Sequence, residues 1–127
     1  RPWLHTIAKR LQLGEDVEYY NPKSLFNNIC DLWTINDFII HLSAHPNWHS
    51  NNTVNLSASK PIQLFKVIDL MRERLKSSSS VTVRETDKTS FTIDTNIVEN
   101  QYGYLPATTT EMTTRFIDDF VFDFNRR

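Results

Sequence analysis

Apolar residues at a spacing of three or four positions predict three helices near the start of the chain. In the first of them, Trp3, Ile7 and Leu11 share one face. Pro2 suits its first turn, and Gly14 suits the position just after its last turn. The three predicted helices cover residues 2–13, 24–32 and 34–45.

A longer helix followed by two alternating segments is predicted in the centre of the chain. Ser59 and Pro61 begin this helix, and a run of serines ends it. Residues 81–84 and 91–93 then alternate apolar and polar side chains, which is the pattern of two strands. The predicted elements are a helix over residues 59–75 and an antiparallel β-hairpin over residues 81–95.

The end of the chain fits both a helix and a strand. Residues 112–124 place apolar side chains at helical spacing, after a capping-box pattern at Thr108 and Glu111. In the same segment, phenylalanines occupy every second position, a pattern that also fits a strand. We favour the helix because Arg126 and Arg127 would suit the negative end of its dipole. The predicted fold class is therefore α+β, with N-terminal helices, a central amphipathic helix followed by a small antiparallel hairpin or sheet, and a C-terminal amphipathic helix.

Composition places the chain among globular proteins. Its 127 residues have the size of a single domain, with 39% hydrophobic and 23% charged residues. No apolar run approaches the roughly 18 residues that cross a bilayer, so we expect no membrane insertion. The sequence begins without methionine, and we expect it to be a piece of a longer protein. One cysteine, Cys30, cannot form an internal disulfide, which favours an intracellular location, nuclear or cytoplasmic.

Motifs for catalysis and for phosphate binding through backbone amides are missing. Walker, Rossmann and kinase-type loops need several glycines, whereas this chain contains only Gly14 and Gly103. The Gly-x-Ser-x-Gly pattern is absent as well. Asp118 and Asp119 are adjacent, so on a helix they would point about 100° apart and could not act together on one atom. We therefore expect no catalytic residue, no small-molecule cofactor and no enzymatic activity.

Histidines recur every four residues at His41, His45 and His49. Imidazoles at this spacing bind zinc, and Cys30 could add a thiolate. However, Pro46 ends the predicted helix before the third histidine, and the chain has neither a second cysteine nor a HExxH glutamate. We therefore expect no metal site, and instead expect histidines at a helix end, where positive charge is favoured.

Aromatic side chains in predicted loops indicate a surface that binds another protein. Rings of this size bury a large area at a modest entropic cost. The alternative is that the loops fold back and place the rings under the core. The first expectation for function is a non-catalytic protein–protein interaction module of an intracellular regulatory protein. The expected partner-binding residues are Tyr19, Tyr20, Trp48, Tyr102 and Tyr104.

A local excess of positive charge indicates an alternative function. Residues 60–88 hold seven basic and four acidic side chains. Residues 61–92 would then form a winged-helix-like unit, whose helix and hairpin bind the phosphates of a nucleic acid. Asp69 and Glu73 share the helix with the basic residues, which favours a solvated surface of mixed charge. The nucleic-acid-binding candidates are Lys66, Arg72, Arg74, Lys76, Arg84 and Lys88.

Overall fold

The computed structural model describes residues 2–46 and 53–126. These ranges hold five helices and four short strands, which confirms the α+β class. The helices are α1 (Trp3–Leu13), α2 (Leu32–Ser43), α3 (Leu64–Arg74), α4 (Asn96–Tyr102) and α5 (Thr109–Asn125). The strands are β1 (Val17–Tyr20), β2 (Leu25–Phe26), β3 (Ile62–Gln63) and β4 (Val81–Arg84). Within the described ranges, none of the helices has the length and apolar character that crossing a bilayer requires.

The strands form two separate pairs. β1 and β4 are parallel, with Val17 opposite Val81 and Tyr20 opposite Arg84. β2 and β3 are antiparallel, with Phe26 opposite Ile62. Because the strands of the first pair run in the same direction, their carboxyl ends lie at the same edge, and the loops that follow them are neighbours.

Two groups of buried side chains hold the fold together. In the main core, α1, α3 and α5 pack against one another, and α1 also contacts β1. Each large side chain buried there contributes about 1.5–3 kcal/mol. The main core contains Leu4, Ile7, Ala8, Leu11, Val17, Tyr19, Val67, Ile68, Met71, Ile117 and Phe120. The second core cluster contains Phe38, Val98, Tyr102 and Tyr104.

The hairpin predicted over residues 81–95 is not formed. β4 pairs in parallel with β1, and residues 85–95, all of them described, contain no strand. Phe91, expected in the second strand, is 72% exposed. Antiparallel pairing is found between β2 and β3 instead. An alternating pattern predicts a strand but not its partner, and here the partner lies far earlier in the chain.

The prediction of a second helix over residues 24–32 is also wrong. Part of that segment is β2, and α2 begins only at Leu32. Asp31 is the N-cap, with its Oδ1 accepting a hydrogen bond of 2.8 Å from the backbone N–H of Thr34. A side-chain oxygen at this position satisfies an amide that has no partner within the helix, and this cap therefore places the start of α2.

The first and last helices agree with the prediction. α1 ends at Leu13, and Gly14 adopts the left-handed conformation with a φ of 71°. α5 begins with the complete capping box of Thr108 and Glu111. The choice between helix and strand over residues 112–124 is thus settled in favour of the helix. The short helix α4 had no counterpart among the predicted elements.

Candidate functional site

A cluster of polar side chains lies at the carboxyl edge of the parallel pair. α/β proteins bind ligands at this edge, because the loops that follow the parallel strands converge there. Tyr20 ends β1 and Arg84 ends β4, and the register places them side by side. We call the following residues the strand-end site: Glu18, Tyr20, Asn21, Arg84, Thr86 and Lys88.

Glu18 accepts hydrogen bonds from two of these side chains. Its Oε2 accepts a hydrogen bond of 2.7 Å from Nε of Arg84, and its Oε1 accepts one of 2.7 Å from the hydroxyl of Tyr20. These two hydrogen bonds, with that from Tyr20 the larger influence, lower the pKa of the Glu18 carboxyl. The Arg84 side chain is 62% exposed, so an anion in solution can reach its guanidinium group.

Asn21 joins the loop after β1 to the loop after β4. Its backbone is left-handed, with a φ of 52°, a conformation that asparagine tolerates better than most residues. Its Oδ1 accepts a hydrogen bond of 2.7 Å from the backbone N–H of Thr86, and its Nδ2 donates one of 3.1 Å to the carbonyl of Lys88. The Lys88 backbone is thereby held at the same edge as Arg84.

The charge of this loop is mixed. Arg84 and Lys88 flank Glu85 and Asp87, and all four residues are exposed. Among them, Arg84 is drawn towards β1 by its ion pair with Glu18. The strand-end site thus presents a cation at a defined position rather than a broad basic surface.

An apolar groove of about 430 Å³ adjoins the strand-end site and shares Glu18 and Tyr20 with it. Its lining also includes Trp3, which is 44% exposed, while Tyr20 is 48% exposed. Trp3 was predicted to share a helix face with Ile7 and Leu11, which are buried, but its ring contacts Phe26 edge-on at the surface. Two accessible aromatic rings in one groove can pack against a planar ligand.

The aromatic residues predicted to bind a protein partner do not share one surface. Tyr20 is exposed in the strand-end site, whereas Tyr19 is buried in the main core. Tyr102 and Tyr104 are buried in the second core cluster. Trp48 lies outside the described residues. For three of the five rings, the structure shows the alternative in which the chain folds back and buries them.

The basic residues predicted to bind nucleic acid divide between two regions. Arg84 and Lys88 belong to the strand-end site, and the others lie on α3 or just after it. Arg74 makes two hydrogen bonds of 2.6 Å to the carboxylate of Asp118 on α5. Because the predicted hairpin is not formed, the winged-helix-like unit that would have joined the two regions is not formed either.

Two histidines of the predicted series, His41 and His45, lie within the described residues and are neighbours. His41 bonds through Nε2 to the backbone carbonyl of Tyr102, and its ring centroid lies 6.0 Å from that of His45. His49 lies outside the described residues. Across residues 2–46 and 53–126, no cluster of three or more side chains could hold a metal ion.

Solved structures with a similar fold belong to much longer chains. RMD from Pseudomonas aeruginosa, solved in complex with NADPH, matches 92% of this chain with a TM-score of 0.64 and 11% identity. UDP-glucose 4-epimerase from Thermotoga maritima, solved with UDP-glucose, matches 97% of it with a TM-score of 0.73 and 10% identity. The chain spans 40% of the length of each. No protein-family model and no curated protein matches it.

These similarities correct the expectations about function. One of the two proteins is an epimerase, and both were solved with a small molecule that contains a nucleotide. The expectations of a non-catalytic module that binds a protein or a nucleic acid, without enzymatic activity or a small-molecule cofactor, are therefore wrong. The missing glycine loop excluded one motif from this chain, but it did not exclude a fold similar to part of an epimerase.

Proposed function

We propose that this chain forms part of an enzyme that acts on a small molecule containing a nucleoside diphosphate, and that the strand-end site contacts the phosphates. NADPH and UDP-glucose both contain a nucleoside diphosphate, which makes it the chemistry common to the two similar structures. The observation that carries the proposal is the accessible Arg84 guanidinium at the carboxyl edge of β1 and β4.

Arg84 suits a diphosphate because of its shape and its present partner. A planar guanidinium donates two parallel hydrogen bonds to phosphate oxygens. Its ion pair with Glu18 is exposed, and exposed pairs contribute little to stability. Replacement of the Glu18 carboxylate by a phosphate as the partner of Arg84 therefore costs little free energy. Glu18 would keep the hydrogen bond from Tyr20.

In this chain, side chains rather than the backbone amides of a glycine loop would contact the phosphates. Gly14 and Gly103, its two glycines, adopt left-handed conformations at the ends of α1 and α4. Each serves as a helix cap, and neither lies in the strand-end site. Arg84 and Lys88 would therefore supply the positive charge that neutralises the diphosphate.

The adjoining groove would hold the nucleoside. A base could stack against Tyr20 or Trp3, which are both exposed in the groove. Glu18 lines the groove and the strand-end site alike, so one molecule can reach both. In this arrangement the base lies beside α1 and the diphosphate lies at the ends of the strands.

Titration of the chain with UDP-glucose and with uridine tests the proposed function. Backbone amide resonances in heteronuclear NMR spectra detect weak binding and report which residues respond. We expect UDP-glucose to shift the resonances of residues 18–21 and 84–88, less so at 0.5 M salt because of screening. Uridine, which has no phosphate, should bind more weakly. No response to UDP-glucose, or equal binding of the two ligands, would overturn the proposal.

We also propose that the protein resides in a reducing, intracellular compartment. Cys30 is a free cysteine and is exposed, and such thiols persist where disulfides do not form. Thiol labelling of the protein immediately after cell lysis tests this: Cys30 should be labelled without prior reduction. A requirement for reductant before labelling would contradict it.

A further inference from the structure

A cavity of about 600 Å³ is lined by side chains of α1 and α5. Sites for small molecules in proteins typically have volumes of about 300–1,000 Å³, so this cavity has the size of such a site. None of its lining residues belongs to the strand-end site or to the apolar groove beside that site. We call it the α1–α5 cavity, and the function proposed above does not use it.

Aromatic rings form much of the lining of this cavity. Phe116, Phe120 and Phe124 follow one another at intervals of four residues, so they share one face of α5. Neighbouring ring centroids in this row lie 6.3 Å and 5.7 Å apart. From α1, the ring of His5 contacts that of Phe120 edge-on, with 5.3 Å between the centroids. Rings arranged in this way can pack against the aromatic ring of a ligand.

The two helices bring opposite charges to the cavity. Lys9 of α1 carries a positive charge, and Asp119 and Asp123 of α5 carry negative charges. All three side chains are exposed, and none of them forms an ion pair with another described residue. Both signs of charge are therefore available to a ligand, on opposite helices of the same cavity.

The two carboxylates favour a cation between them. Asp119 and Asp123 are four residues apart on α5, a spacing at which like charges destabilise a helix. They also lie near the C-terminal, negative end of the helix dipole, where the last turn of α5 has no basic residue. Arg126, at the C-cap, places its guanidinium group 5.0 Å from the centroid of the Phe122 ring. An ammonium group of a ligand would offset this concentration of negative charge.

A nitrogen atom of His5 adds a place for a hydrogen bond. Its Nδ1 is buried and has no hydrogen-bond partner among the residues that the structure describes. Buried polar atoms normally have such a partner. Because His5 lines the cavity, a donor on the ring of a ligand, such as an indole N–H or a phenol O–H, can supply one when Nδ1 carries no proton.

We propose that the α1–α5 cavity binds a free aromatic α-amino acid. Its ring lies against the row of phenylalanines, its α-ammonium group pairs with Asp119 and Asp123, and its α-carboxylate pairs with Lys9. An aromatic amine would leave Lys9 without a partner, and an aromatic acid would leave both carboxylates without one. An amino acid matches all three charges and the rings at once. This inference is independent of the proposed function, because the two sites share no residue.

Titration with four indole compounds tests which groups the cavity recognises. L-Tryptophan carries both charged groups, tryptamine lacks the carboxylate, indolepropionate lacks the ammonium group, and N-acetyltryptophanamide lacks both. The Kd of each is measured from the backbone amide NMR resonances of residues 5–9 and 116–124. We expect L-tryptophan to bind about threefold or more tighter than each of the others, since every exposed charge contact adds a modest amount. No shift in these residues, or equally tight binding of any of the other three compounds, would overturn the proposal.

Variants that remove charge assign each contact. Asp119→Asn combined with Asp123→Asn should raise the Kd for L-tryptophan and for tryptamine about threefold or more, but not that for indolepropionate. Lys9→Met should raise the Kd for L-tryptophan and for indolepropionate by a similar factor, but not that for tryptamine. These side chains are exposed, so the variants should fold as the original chain does.

The matched control removes the same amount of charge outside the cavity. Asp87→Asn combined with Asp118→Asn affects two exposed carboxylates that do not line it. This variant should change the Kd for L-tryptophan by less than about twofold. An equal rise in the control and in the variant of Asp119 and Asp123, or no rise in the latter, would overturn the proposal. None of these measurements uses UDP-glucose, so the proposed function can fail or succeed separately.

Discussion

The hydroxyl of Tyr104 lies 3.1 Å from Oδ2 of Asp37, to which it donates a hydrogen bond within the second core cluster. This contact joins the segment after α4 to the inner side of α2. Burial, and then the hydrogen bond to Asp37, raise the pKa of Tyr104 from 10.0 to about 12. The folded protein therefore binds the phenolic proton more tightly than the unfolded chain does.

The raised pKa of Tyr104 predicts a loss of stability at high pH. Its contribution is fully present below pH 10 and is lost as the pH rises from 10 to 12, because the unfolded chain ionises first. Between pH 9 and pH 11.5, urea unfolding should show a loss of stability that is larger in the original chain than in Tyr104→Phe by on the order of 2 kcal/mol. Equal losses in the original chain and in the variant would contradict this account.

Asn27 is predicted to be a major contributor to stability. Its side chain is 2% exposed, and its Nδ2 donates to the carbonyls of Ala58 at 3.0 Å and Ile93 at 2.8 Å. Its Oδ1 also accepts a hydrogen bond of 2.8 Å from the Ile93 N–H. Asn27→Ala leaves these groups without partners, and we expect the free energy of unfolding to fall by about 3 kcal/mol in urea titrations.

Asn28 provides the matched control for Asn27. It is half-buried, and its Oδ1 is buried without a hydrogen-bond partner. Asn28→Ala removes an unsatisfied atom, so it should change the free energy of unfolding by less than about 1 kcal/mol. If the two variants lost similar stability, the hydrogen bonds of Asn27 would not be the cause.

Lys76→Gly should stabilise the protein. Lys76 follows α3 with a φ of 51°, and the next N–H, that of Ser77, bonds to the Arg72 carbonyl at 2.9 Å. This is the position at which helices favour glycine, and we expect a gain of about 0.5–1 kcal/mol by thermal unfolding. Lys66→Gly, within the helix, should instead cost a similar amount. Destabilisation by both variants would show that the left-handed backbone is not under strain.

The helices at the two ends of the chain could be predicted because their signals are local. Gly14 ends α1, and the pair of Thr108 and Glu111 begins α5, each within a few residues of an apolar stripe. β1 was missed although Val17 and Tyr19 are buried and alternate with exposed residues. Four residues between an acidic pair and an Asn-Pro turn have the composition of a loop, and only pairing with β4 stabilises them as a strand.

Half of the residues of the strand-end site could be predicted from the sequence, but the way in which they come together could not. Tyr20, Arg84 and Lys88 were each selected from the sequence, but for two different surfaces and for functions that the fold contradicts. The parallel register places Tyr20 beside Arg84, and no local pattern specifies that register. Asn21 was not selected, because its role depends on a left-handed backbone and on a hydrogen bond to Thr86.

Arg84→Ala tests the central claim, that the strand-end site binds the diphosphate, when it is compared with Arg74→Ala. Arg74 is a matched control, since it also makes an exposed ion pair, with Asp118 rather than with Glu18. The Kd for UDP-glucose is measured by NMR titration for the original chain and for both variants, with uridine as the ligand that lacks phosphate.

We predict that Arg84→Ala raises the Kd for UDP-glucose about tenfold or more, because it removes a charge-assisted contact to phosphate. It should leave the Kd for uridine unchanged, and Arg74→Ala should change neither value by more than about twofold. An unchanged Kd for UDP-glucose in Arg84→Ala, or an equal rise in both variants, would contradict the claim.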